Sequence, residues 1–218
     1  MIMESNEKRN NSLAVTLLTL VMLMWMPKAS AQVFEYPEYE GQERIAVAHQ
    51  GNSPTISDFA TAFLNFMKEN AYYEKVYADW QRYRQKKALD KNVSIIVDTK
   101  NGYIRYKVVN PEEKDTTVTE MCFWNCADGK RKLLCANTFL AMENDYGWDE
   151  HVGVWFYVYD NKTGVMRPVL AEDIGALFDG DGISVFSLPR KGKNIKVTTY
   201  SVDERWEVVL EWDGFQFQ

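Results

Sequence analysis

Histidine and cysteine are scarce in this chain, with two of the first and three of the second in 218 residues. His49 and His151 stand far apart and in no ligand spacing, which excludes the metal sites that repeated His and Cys build. No metal and no cofactor is expected. There is no Gly-x-Ser-x-Gly elbow, no phosphate loop and no dinucleotide fingerprint, so the sequence marks of serine hydrolases, nucleotidases and dinucleotide-dependent enzymes are missing. Cys126 with either histidine would imitate a cysteine nucleophile only through a proximity that spacing does not supply. Positive charge is in the minority, leaving a net charge of −6. That balance argues against nucleic acid and anionic membrane as partners, since both need basic patches.

What is present begins with an address. Lys8 and Arg9 precede the apolar run Leu13–Met26, Pro27 breaks it, and Ala29-Ser30-Ala31 is the small-x-small pattern that signal peptidase cuts. The run falls short of the ~20 apolar residues that span a bilayer. Residues 1–31 are therefore expected to be a cleaved signal peptide, with no membrane span afterwards and a periplasmic or secreted location. Residues 32–54 mix Glu with Phe and Tyr around Pro37 and Gly41 and read as an extended N-terminal arm, with a short strand near Arg44–Ala48. Residues 55–218 read as a single α+β domain, helical over 55–91 and antiparallel β over 92–218. The aromatics, 7 Trp, 12 Tyr and 11 Phe, are mostly core for a β-rich domain of this size.

Ile56–Lys68 is the clearest helix. Ile56, Phe59, Ala60, Phe63, Phe66 and Met67 form one apolar stripe, and Thr55 with Asp58 makes the start of a capping box. A second helix is expected over Ala71–Leu89, with the cations Arg82, Arg84, Lys86 and Lys87 at its C-terminal end, where they complement the dipole. Beyond Asn92, two turns read Asp-x-Lys-x-Gly, at Asp98–Gly102 and Asp160–Gly164, and each suits a turn closed by glycine at positive φ. With Asp128-Gly129 and Lys191-Gly192-Lys193, turns recur roughly every 31 residues, which favours a meander over four-stranded propeller blades. The expected architecture is two N-terminal helices packed on an antiparallel β-meander of about eight to ten strands, open to curling toward a barrel or a sandwich. Asp213-Gly214 and the final Phe215–Gln218 suggest a terminus tied into the sheet.

Asp128-Gly129 between apolar runs is a two-residue hairpin signal of type I′. That turn places Cys122 opposite Cys135. Counting from a hydrogen-bonded Ala127/Lys130 pair makes Cys122/Cys135 a non-hydrogen-bonded pair, the geometry in which a disulfide is feasible. Export would favour it. The alternative is three small buried apolar residues.

The candidate ligand site is the segment Asn144–His151, where Tyr146, Trp148, Asp149, Glu150 and His151 crowd between two strands. Exposed aromatics flanked by carboxylates can stack on a sugar and accept its hydroxyls, and paired carboxylates can serve as the acid and base of a glycosidase. An ordinary polar loop anchored by Trp148 is the plainer reading. Asp179-Gly-Asp-Gly182 lacks the third acidic position and terminal Glu of a calcium loop and reads as an acidic turn. The stretches VDTKNGYIRY, MCFWNCADGK and FYVYDNKTGVM, behind a signal ending in Ala-Ser-Ala-Gln, resemble a family of uncharacterised exported proteins of Gram-negative anaerobes with no known activity. The resemblance implies export and a β-rich domain, and it transfers no catalytic residue. The function expected is an exported non-enzymatic binding protein whose partner is a small ligand, with a glycan in view. The alternatives are a carbohydrate-active hydrolase using a carboxylate pair and an envelope interaction module using the acidic-aromatic arm.

Overall fold

In a computed structural model, which describes residues 34–112, 115–142, 150–176, 183–201 and 204–218, two helices lie on a large antiparallel sheet curled into a half-barrel. The described strands are β1 (Ile45–Ala46), β2 (Val93–Asp98), β3 (Tyr103–Asn110), β4 (Asp115–Asn125), β5 (Arg131–Met142), β6 (Glu150–Asp160), β7 (Val165–Val169), β8 (Ile183–Ser187), β9 (Ile195–Tyr200) and β10 (Arg205–Leu210). The helices are α1 (Ile56–Met67) and α2 (Ala71–Arg84). Strands β2 to β7 pair in chain order, which is the expected meander, and β1 closes the far side in the order β1-β7-β6-β5-β4-β3-β2. Because β1 occupies the outer edge of β7, the chain cannot add another strand there. Strands β8 to β10 instead form a separate sheet, β10-β9-β8. The arm joins the same compact unit, Glu35–Gln218.

The α1 stripe does what its spacing demands. Ile56, Phe59, Ala60 and Phe63 are fully buried, and Asp58 accepts the Thr55 N–H at 2.8 Å at the helix start. Helix α2 stops at Arg84, short of the expected Leu89. Lys86 takes a left-handed φ of 55°, its N–H returns to Tyr83 O, and the Lys87 N–H returns to Arg82 O, which together form a Schellman end without glycine. Lysine at that position gives no stop signal in the sequence, hence the overrun.

Pairing separates two faces of the large sheet. One face carries Ile95, Tyr106, Thr119 and Thr138 in a row and packs under the helices. The other carries Arg105, Glu120 and Asn137 in a row and meets the second sheet. There the Leu188 N–H donates to Glu120 (3.1 Å), Tyr103 donates its hydroxyl to the same carboxylate (2.5 Å), and Asn137 donates to Phe186 O (2.5 Å). The C-terminus is tied in as expected. Trp212 bridges to Phe217, Phe217 donates to Ile174 O at 2.8 Å, and its ring packs on Trp124 and Trp212.

The β4–β5 hairpin has the expected register, with Cys122 opposite Cys135, but a different turn. Only Gly129 takes positive φ, so the type I′ geometry is not met. The connection is a four-residue loop, Ala127 to Lys130, closed by the Cys126 N–H on Arg131 O (3.0 Å). Asp128 caps it by accepting the Lys130 and Arg131 N–H groups, while Ala127 donates to Gly214 O. A four-residue loop centred on the same two residues keeps the register yet shifts the hydrogen-bonding phase by one. Cys122/Cys135 is thus a hydrogen-bonded pair, with Cα atoms about 5.5 Å apart and Cβ atoms wider than a disulfide accepts. All three cysteines are free and buried, which corrects the expected bridge.

Candidate functional site

Helix α2 crosses the sheet from β5 toward β3. Tyr73 bonds Thr138 on β5 at 2.9 Å, Tyr72 bonds Thr119 on β4 at 3.0 Å, and Asp79 accepts from Tyr106 on β3 at 2.8 Å. Thr119 and Thr138 bond each other at 3.0 Å, so the two tyrosines and two threonines form one chain, buried except at the half-buried Tyr72. Threonines on a face covered by helices must find partners, since a buried hydroxyl left alone costs about 1–3 kcal/mol. Burial pushes the Tyr72, Tyr73 and Tyr106 hydroxyls above the ordinary phenol range. These groups hold the helix; they are not poised acids.

Beyond this chain, the strands run out from under α2 and leave a trough of about 700 Å³. That size lies within the ~300–1,000 Å³ of small-molecule sites. Its floor is a single cross-strand row, Val93 on β2, Val108 on β3, Thr117 on β4 and Leu140 on β5, fixed by the register of three strand pairs. One wall is the start of α2, with Ala71, Tyr72, Lys75 and Val76. The outer rim is polar, with Asp90, Asn92, Asn110 and Asp115. None of Lys75, Asp90 and Asp115 makes an ion pair among the described residues. Asp90 accepts the Asn92 N–H at 2.8 Å and so shapes its own corner of the rim. The described lining holds no histidine, cysteine or serine.

Of the residues singled out from sequence, Tyr146, Trp148 and Asp149 lie outside the described residues, as does Asp179–Gly182. Glu150 and His151 open β6 and pair through their backbones with Leu140 and Phe139, so the strand that carries them joins the sheet beside the Leu140 end of the trough. Cys126 is buried with its thiol 3.3 Å from the Tyr36 hydroxyl, and burial pushes that thiol up, the opposite of an activated nucleophile. The acidic-aromatic arm is held down. Tyr36 is 3% exposed, its hydroxyl donates to Phe215 O at 2.7 Å, Arg131 lies over its ring, and Arg167 donates to the Tyr36 and Pro37 carbonyls. Among the described residues, no three metal-ligating side chains gather and no helix is long and apolar enough to cross a membrane.

The trough residues were missed in the sequence. The available signal was Thr117 and Thr119 at period two, on the β4 face that continues to Met121 and Phe123. Fold and site together define an α+β protein with an open mixed trough at one end of a half-barrel. The chain matches no protein-family model, no curated protein and no solved structure.

Proposed function

We propose that this is an exported, periplasmic or secreted, non-enzymatic binding protein whose small ligand lies in the trough between α2 and the ends of β2 to β5. The observation that carries the reading is the 700 Å³ trough with an aliphatic floor, a polar rim and three charges free of ion pairs among the described residues. A lining with apolar surface and a few convergent polar groups is how small-molecule sites are built. The absence of histidine, cysteine and serine from that described lining favours binding over covalent or imidazole chemistry. The leader and the resemblance to exported proteins support the location.

The test is a thermal-shift screen of the purified protein against oligosaccharides, peptidoglycan fragments and short peptides. A ligand at 100 times its Kd adds about 2.7 kcal/mol, a rise of several degrees in Tm. The variant Thr117→Trp, which fills the floor, abolishes that rise while remaining folded. A rise that survives Thr117→Trp would move the site elsewhere. A glycan is the ligand that the sequence brought into view, at Asn144–His151, and the same screen scores it.

A further inference from the structure

The chemistry of the trough narrows its ligand further, on the footing of the binding reading above. Four strands set the floor, and three strand spacings of ~4.8 Å give a length of about 14 Å, the reach of about four residues of extended chain at ~3.3 Å each. Three of the four floor residues, Val93, Val108 and Leu140, are aliphatic. The rings in the lining are Tyr72, fixed on the wall through its bond to Thr119, and Tyr106, which is 4% exposed. A sugar ring has no open aromatic plane on that floor, whereas aliphatic side chains meet surface of their own kind.

Charge is divided across the trough. Lys75 stands on the helix wall, Asp90 at the β2 end and Asp115 on the rim as the first residue of β4. A ligand bearing one ammonium and one carboxylate complements both signs, whereas a neutral oligosaccharide offers them hydroxyl hydrogen bonds alone. The amide of Asn92 offers a donor and an acceptor of the kind that peptide groups use.

We propose that the trough binds a short peptide of about four residues with free termini and aliphatic side chains. It lies across β2 to β5 alongside α2, with its ammonium at the β2 end toward Asp90 and its carboxylate toward Lys75. The probe is a pool of tetrapeptides of Ala, Val and Leu, offered to the purified protein with free ends, N-acetylated or C-amidated, with chitotetraose as the glycan arm. Saturation-transfer NMR gives signal for the free pool, and blocking either end weakens binding by about tenfold or more. Lys75→Met removes the penalty for amidation, and Asp90→Asn removes the penalty for acetylation; unchanged Tm values show that these variants fold. Blocked peptides that bind as well as free ones overturn the charge assignment. Chitotetraose that binds in place of peptides, and is lost in Thr117→Trp, overturns the peptide while sparing the binding reading. No transfer to any peptide also overturns the proposal, whereas transfer that Thr117→Trp leaves intact overturns the trough itself.

Discussion

Substituting Gly175 by alanine unlocks the C-terminus. Gly175 follows the turn Glu172–Ile174 at φ 63°, and a Cβ there would overlap the backbone oxygen of Phe217. The left-handed conformation costs a non-glycine residue about 1 kcal/mol. The overlap is with backbone, so no rotamer relieves it, and Phe217 must move. Moving it strains the 2.8 Å bond to Ile174 O, a loss of about 1 kcal/mol, and draws a ring that is 2% exposed away from Trp124 and Trp212. Complete loss of such a ring costs about 3–5 kcal/mol, so Gly175→Ala is expected to cost about 4 kcal/mol with partial withdrawal. Phe217→Ala alone should cost about the same. The pair should cost about 5 kcal/mol together, well under the sum, because both remove one contact set. Urea unfolding followed by tryptophan fluorescence reads all three variants, with Trp124 and Trp212 reporting the site. A cost below about 1 kcal/mol for Gly175→Ala, or strict additivity of the pair, would refute the reasoning.

Other outcomes follow from single features. Lys86→Gly relieves a left-handed lysine at the end of α2 and should stabilise by about 0.5–1 kcal/mol in the same assay. Burial lifts the hydroxyls of Tyr36, Tyr73, Tyr103 and Tyr106 above the phenol range and that of Tyr157 to about 12. A raised folded-state pKa contributes stability that is full below the unfolded value near ~10 and is lost as pH rises beyond it, so alkaline unfolding should coincide with tyrosinate formation in a UV titration. Gradual ionisation of these tyrosines in a folded protein would contradict that. Alkylation under denaturing, non-reducing conditions should add three labels by intact mass, because Cys122 and Cys135 face each other as a hydrogen-bonded pair. One label would mean that they are bridged.

Local chemistry made much of the fold legible, and the failures share one physical cause. The α1 stripe, the turns at Asp98–Gly102 and Asp160–Gly164 and the Cys122–Cys135 register are written in periodicity and turn residues. The helices on an antiparallel meander follow from them. What sequence did not carry was phase and closure. A four-residue loop and a two-residue loop centred on Asp128-Gly129 give the same register and opposite hydrogen-bonding phase, and the tertiary bond from Ala127 to Gly214 belongs to the four-residue form. The stop at Lys86 and the split after β7 likewise depend on partners distant in sequence. The trough was illegible for the same reason: its floor draws one residue from each of four strands, and no stretch of chain contains more than a piece of it. In Asn144–His151, by contrast, candidate residues lie side by side along the chain and so stand out in sequence.

The most direct test of the binding account is chemical-shift mapping on the isotope-labelled protein with the free-ended tetrapeptide pool. The account predicts perturbations concentrated on Val93, Val108, Thr117, Leu140 and the first turn of α2, saturating together. Perturbations confined to other surfaces, or a spectrum unchanged at millimolar ligand, would contradict it.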